Sequence, residues 1–216
     1  MAVAGPDYEC IYADVETNGR VSDGGVWNKC TLSQGIEDGS VSLPPAKCLP
    51  YGVTKLPYVF VGDGDFALKK NSMKPYAQNG LTIEKRVDNY RHGRARRISE
   101  NLFGIIVNRW QVFRTVLELP PSTTESLVMT ALVLHNYLRK SSSRNVYCPA
   151  GLLDTESRSG KLPHGLWRKE VTSEAFVPLS VPISGLNATN YAKLIRVTYT
   201  GHFVNKGAVE WQWNMI

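Results

Sequence analysis

Between Thr82 and Arg114 apolar residues return every three or four positions (Ile98, Leu102, Ile105, Ile106, Trp110, Phe113), and no proline interrupts them before Pro120-Pro121. That spacing lays one apolar stripe along a helix, and a stripe of large side chains needs a core to cover it. Ser122-Thr-Thr-Glu125 then has the form of a capping box, with Ser122 as the cap and Glu125 three residues on. It predicts a second helix running to about Arg139, with Leu127, Ala131, Leu134, His135 and Leu138 on one face. On that face His135 is expected to be a hydrogen-bonded core histidine.

The segments before the long helix read as strands and turns. ECIYADVE (9 to 16) alternates loosely and predicts a strand closed by a turn at Asn18-Gly19. Ser22-Asp23 offers a helix start, and Val26, Cys30 and Leu32 begin an apolar face that fades before Gly39. The proline-rich stretch from 43 to 57 predicts a loop. YVFV (58 to 61) is a short apolar run bounded by turn signals, the pattern of a strand buried on both faces inside an α/β sheet. From Ser141 the composition shifts to Ser, Gly, Pro and charge, which predicts a boundary: a domain over 1–139 and an extension over 140–216. The extension ends in a helix near Tyr191 to Phe203 and the tail WQWNMI.

Bulk properties narrow the class. A chain of 216 residues with 43% hydrophobic and 20% charged residues suits a globular domain of one sizeable core. LVMTALVL (127 to 134) is too short to span a bilayer, and the N-terminus lacks the pattern of a secretory signal. Cys10, Cys30, Cys48 and Cys148 form no C-x-x-C pair, so they read as reduced thiols of an intracellular protein, and the sequon at Asn187 as a chance match. RHGRARR (91 to 97) packs four arginines and a histidine into seven positions. Such a run is a footprint for phosphates, a nuclear import signal or a solvated helix face.

Two acids stand out. Asp63 follows the YVFV run directly through Gly62, at the carboxyl end of a strand, where open α/β sheets present ligands; Asp and Gly also dominate plain turns. A calcium loop is excluded, because the twelfth position from Asp63 is Lys74 where a bidentate Glu is required. Glu100 sits on the long helix, four and three residues after Arg96 and Arg97, at the spacing of an intrahelical ion pair. A strand-end Asp and a helical Glu together are also what a two-metal phosphoryl-transfer site needs, and hard cations select such oxygen ligands.

GRVSDGGVW, LPYVFVGDGDFALKKNSMKPY, NYRHGRARRISENLFGIIVNRWQVFR and LVLHNYLR, in that order, resemble successive blocks of the PIF/Harbinger transposase-derived DDE nucleases. GLLDTESRSGKLPHGLWRKE and GAVEWQW resemble the C-terminal pieces of the animal members. The resemblance implies a ribonuclease H-like α/β fold, a mixed sheet flanked by helices, with an irregular and helical C-terminal extension. It implies Asp63 and Glu100 as catalytic acids and metal ligands for Mg²⁺ or Mn²⁺, with Asp65 as an alternate or supporting acid. It implies DNA contact by Lys69, Lys70, Arg91, Arg94, Arg96 and Arg97, a nuclear location with the cytoplasm as a second compartment, a separate DNA-binding partner protein and a homo-oligomer.

One block of the family has no counterpart. The first catalytic Asp of those nucleases lies on the central strand, in a D-G-x-H-like block upstream of the region matched by ECIYADVE. Asp7, Asp14 and Asp23 lie downstream of that place, Asp14 on a later strand and Asp23 as a helix cap. The expectation is an N-terminally incomplete domain, a fragment or a natural truncation, in which Asp63 and Glu100 should approach each other and DNA is not cut. The alternative is a domesticated protein that binds DNA or a partner without catalysis.

Overall fold

A computed structural model describes residues 1–15, 21–156, 163–170 and 188–216; the Asn18-Gly19 turn and the Asn187 sequon lie outside them. The order is β1 (Ala2–Ala4), β2 (Cys10–Ala13), α1 (Asp23–Lys29), α2 (Thr31–Asp38), β3 (Lys47–Cys48), β4 (Lys55–Leu56), β5 (Phe60–Val61), β6 (Ser72–Met73) and α3 (Ile83–Arg109). A 3₁₀ turn (Gln111–Arg114), α4 (Pro121–Lys140), α5 (Arg144–Tyr147), α6 (Trp167–Glu170), α7 (Asn190–Val204) and a final 3₁₀ segment (Glu210–Met215) follow. The protein is thus mixed α/β, about half helical, with small sheets. Among the described residues the strands form three two-stranded ladders: β1–β2 and β3–β4 antiparallel, β5–β6 parallel. No described helix is long and apolar enough to cross a membrane.

The chain divides into two compact units, one formed by 1–20 and 97–180, the other by 21–96 and 181–216. In the first unit Leu102 and Ile106 of α3 pack with Cys10 and Leu132, and Ile105 packs with Tyr147, Leu152 and Leu153. The apolar stripe therefore does what its spacing demands. Helix α4 also serves as β2's neighbour. The Asn136 side chain accepts from the Cys10 N–H and donates to the Cys10 carbonyl, both at 2.8 Å. His135 is fully buried; its Nε2 donates to the Tyr8 carbonyl (2.6 Å), which leaves Nδ1 to accept from the Tyr147 hydroxyl (2.9 Å). It is the core histidine expected.

In the second unit Leu56, Leu68 and Met73 close over Ala192 and Ile195 of α7. Helix α1 is capped by Ser22, whose side chain accepts from the Gly25 N–H, and α2 ends at Gly39 in the left-handed region (φ 81°).

Several expectations are corrected. Helix α4 is not capped by Ser122. Pro121 takes its first position and Pro120 precedes it, because proline's fixed φ and missing N–H suit the first turn, so Ser122 is helical. Leu134 is exposed and Leu132 buried in its place. The long helix stops at Arg109, since Trp110 leaves the helical region and Arg114 donates to the Val107 and Asn108 carbonyls that the end would leave unpaired. The stretch from 43 to 57 holds the β3–β4 ladder. YVFV contributes only Phe60 and Val61 to a ladder, both half-buried, and the Tyr58 carbonyl is taken by the Asn71 side chain (2.7 Å) rather than by a strand partner.

Candidate metal centre

The turn after β5 is held from several directions. The Phe60 and Gly62 N–H groups donate to the Asn71 and Met73 carbonyls (2.9 and 3.0 Å), fixing the strand against β6. A Cβ on Gly62 would lie 2.6 Å from the Phe66 ring, so glycine is required there. Asp63 Oδ1 accepts from the Asp65 N–H at 2.9 Å, a turn closed by its own side chain. Lys74 Nζ donates to the Gly64 carbonyl (2.8 Å) and His92 Nε2 to the Gly62 carbonyl (2.5 Å). Asp63 is therefore a turn former, closing the turn through Oδ1.

The same turn is tied to α1 through aromatic rings. Trp27 packs on Phe60 (centroids 5.5 Å apart) and edge-on against Phe66 (6.2 Å). Because Ser22 is the cap, Asp23 is the first helical residue rather than the cap. One ligand oxygen from each of Asp23, Asp63 and Asp65 falls within 4.8 Å of the other two. Asp63 is half-buried, and Asp23 and Asp65 are exposed. Burial, and then the charges of Asp63 and Asp65, push the Asp23 carboxyl above the usual carboxylate range.

The donor set is all carboxylate oxygen, which a hard divalent cation selects over soft metals. Opposite oxygens around Mg²⁺ stand about 4.2 Å apart and around Ca²⁺ about 4.6–5.2 Å. The three oxygens lie within 4.8 Å of one another, close enough for one such cation to draw them together with waters completing its sphere. The residues present fit the group.

The other expected residues are distributed as follows. Glu100 belongs to the first unit, Asp63 to the second. Glu100 accepts from Arg168 Nη2 at 3.3 Å, and Arg168 also grips Asp154 through Nε (3.0 and 2.8 Å) and Nη2 (2.6 Å). Burial raises the Asp154 carboxyl, but the bonds from Arg168 and the Gly165 N–H outweigh it and hold the group below its ordinary value. Lys69 pairs with Glu37 and donates to Asn28 (3.1 Å), while Lys70 is exposed. Arg91 lies over the Phe203 ring (5.0 Å) and donates to Gln212 (3.3 Å). Arg94 lies over Tyr90 and Trp211 (5.9 and 5.8 Å), Arg96 is half-buried, and Arg97 pairs with Glu156 (3.4 Å).

Sequence reasoning missed Asp23 and His92. Asp23 was hidden by its position beside a good cap, and His92 by the arginines around it. The Trp27–Phe66 contact that brings α1 to the turn has no local sequence signal.

Residues 1–136 match the family model described as DDE superfamily endonuclease. No curated protein and no solved structure matches the chain.

Proposed function

Because this chain belongs to the DDE superfamily of endonucleases, we propose that it is a divalent-metal-binding domain of PIF/Harbinger transposase descent that does not cut DNA as these 216 residues stand. Membership makes it a transposase-derived nuclease domain with DNA as the substrate class, in a superfamily that generally uses divalent metals. The observation that carries the reading is the convergence of Asp63 with Asp23 and Asp65.

In this reading the fold is ribonuclease H-like, and Asp63 and Glu100 retain their family roles toward Mg²⁺ or Mn²⁺. The cation, when bound, supplies positive charge against the phosphate oxygens of a DNA strand. Asp63 offers a carboxylate oxygen, and Asp23 and Asp65 complete a three-acid face. Glu100 must exchange its Arg168 partner for a cation, so that arginine weakens metal binding there. Lys69, Lys70, Arg91, Arg94, Arg96 and Arg97 contact the phosphate backbone. The ring contacts under Arg91 and Arg94 preset two guanidinium groups for that task. The extension over 140–216, a nuclear location with the cytoplasm second, a DNA-binding partner protein and self-association belong to the same proposal.

Inactivity is proposed because Arg168 donates to Glu100 (3.3 Å), so that one of the two family acids is committed to a guanidinium. The test is plasmid nicking in Mg²⁺ and Mn²⁺, set beside an Asp63→Ala/Glu100→Ala variant. No metal-dependent nicking by either protein is expected. Nicking that vanishes in the double variant would overturn the proposal and point to Asp23 as the acid that completes the site.

A further inference from the structure

We infer that His92 is a positioning residue for Asp63, acting through the Gly62 carbonyl; the inference rests on the reading of Asp63 as a cation ligand. The Gly62 N–H is committed to the Met73 carbonyl (3.0 Å), which fixes one side of that residue. Its carbonyl belongs to the peptide that leads directly into Asp63 and accepts from His92 Nε2 at 2.5 Å. Because the partner is a carbonyl, Nε2 must carry the proton and donate. The plane of the Gly62–Asp63 peptide sets φ at Asp63, and with it the direction of the Asp63 Cα–Cβ bond.

That plane needs a clamp. Asp63 stands between Gly62 and Gly64, neither of which has a Cβ to restrict its own backbone, so the bonds made at Gly62, Asp63 and Gly64 fix the turn. The clamp comes from a long helix rather than from a loop. Three residues before His92, on the same face of α3, Asn89 accepts from the Tyr76 N–H (2.7 Å) and donates to the Tyr76 carbonyl (2.9 Å). Two bonds at Asn89 and one at His92 therefore fix the register of α3 against the segment carrying the acids. His92 stands in the basic run 91–97, yet its Nε2 proton is spent on backbone and not on phosphate.

Supporting groups of this kind typically change metal affinity 10–100-fold when removed. The test is Mn²⁺ titration followed by electron paramagnetic resonance on the full chain, with thermal unfolding recorded for every variant. Wild type, Asp63→Ala, His92→Phe (volume kept, donor removed) and His92→Gln (a side-chain N–H restored) are compared. The expected result is that His92→Phe weakens Mn²⁺ about tenfold while melting near wild type, and that His92→Gln recovers most of the loss. If wild type and Asp63→Ala bind Mn²⁺ alike, the metal-site reading itself fails. If Asp63→Ala loses Mn²⁺ while His92→Phe binds as wild type, or His92→Gln is no better than His92→Phe, the positioning role is overturned and the metal site stands.

Discussion

Asp23 and Asp88 are acids held at a cost to the fold, with burial the largest cause at both. At Asp23 part of that cost is repulsion from Asp63 and Asp65, which a cation would relieve and an amide would remove. A carboxyl whose folded pKa is raised destabilises the fold once it ionises, so at neutral pH without metal Asp23→Asn should melt higher than wild type. Solvent screening at an exposed group keeps the gain to roughly 1–2 °C. The same substitution should abolish any rise in melting temperature that Mg²⁺ or Mn²⁺ gives the wild type. A variant that melts lower, or that keeps the metal-induced rise, would separate Asp23 from the site.

Asp88 is buried, and burial pushes its carboxyl up to about 6. Its neighbour Thr200 has one hydroxyl proton for two acceptors, Asp88 Oδ1 and the Arg196 carbonyl, both at 2.9 Å, while the Tyr76 hydroxyl sits 3.0 Å away. A protonated Asp88 would donate to Thr200 and free that proton for Arg196. Between pH about 4 and 6 the unfolded chain releases the Asp88 proton while the folded chain keeps it. Stability therefore falls as pH rises through that window and is level above it. Asp88→Asn, which mimics the protonated donor, should raise stability at pH 8 by about 1–2 kcal/mol and flatten the slope between pH 4 and 6. Urea midpoints across pH 4–8 measure both, and an unchanged slope would contradict the assignment.

At the scale of elements, the helices were the most legible part. The 98–113 periodicity located the core face of α3, and Tyr191 to Phe203 anticipated α7 within a residue at each end. Helix starts were less so, because Ser-x-x-Glu and Pro-Pro compete for one terminus at 120–125, and proline geometry won. This difference is measurable. Ser22→Ala, which removes the observed cap of α1, should cost about 1 kcal/mol. Ser122→Ala, at a helical position, should stay within about 0.5 kcal/mol. Equal costs would restore the capping box at Ser122. The short strands were poorly legible for another reason: two-residue ladders such as β5–β6 carry no alternation to read. Only the loose pattern of 9 to 16 announced β2, whose edge is satisfied by Asn136, 126 residues away in sequence.

At the scale of the whole molecule, each compact unit joins two separate chain segments, and α3 supplies residues to both, 83–96 to one and 97–109 to the other. Local pattern reports neither fact. The candidate site shows the same division between what is local and what is not. Asp63 was legible because a short apolar run, a glycine and an acid are contiguous. Asp23 was not, since its place beside Asp63 depends on Trp27 meeting Phe60 and Phe66 across more than thirty residues. A cation-binding turn in a DDE-family domain is the claim on which the functional account stands. Its most direct test is an anomalous difference map from crystals of this chain soaked in Mn²⁺. The account predicts a peak about 2.0–2.6 Å from an Asp63 carboxylate oxygen, with Asp23 or Asp65 among its other ligands. A map with no peak at Asp63, or with Mn²⁺ bound only where Asp63 takes no part, would contradict it.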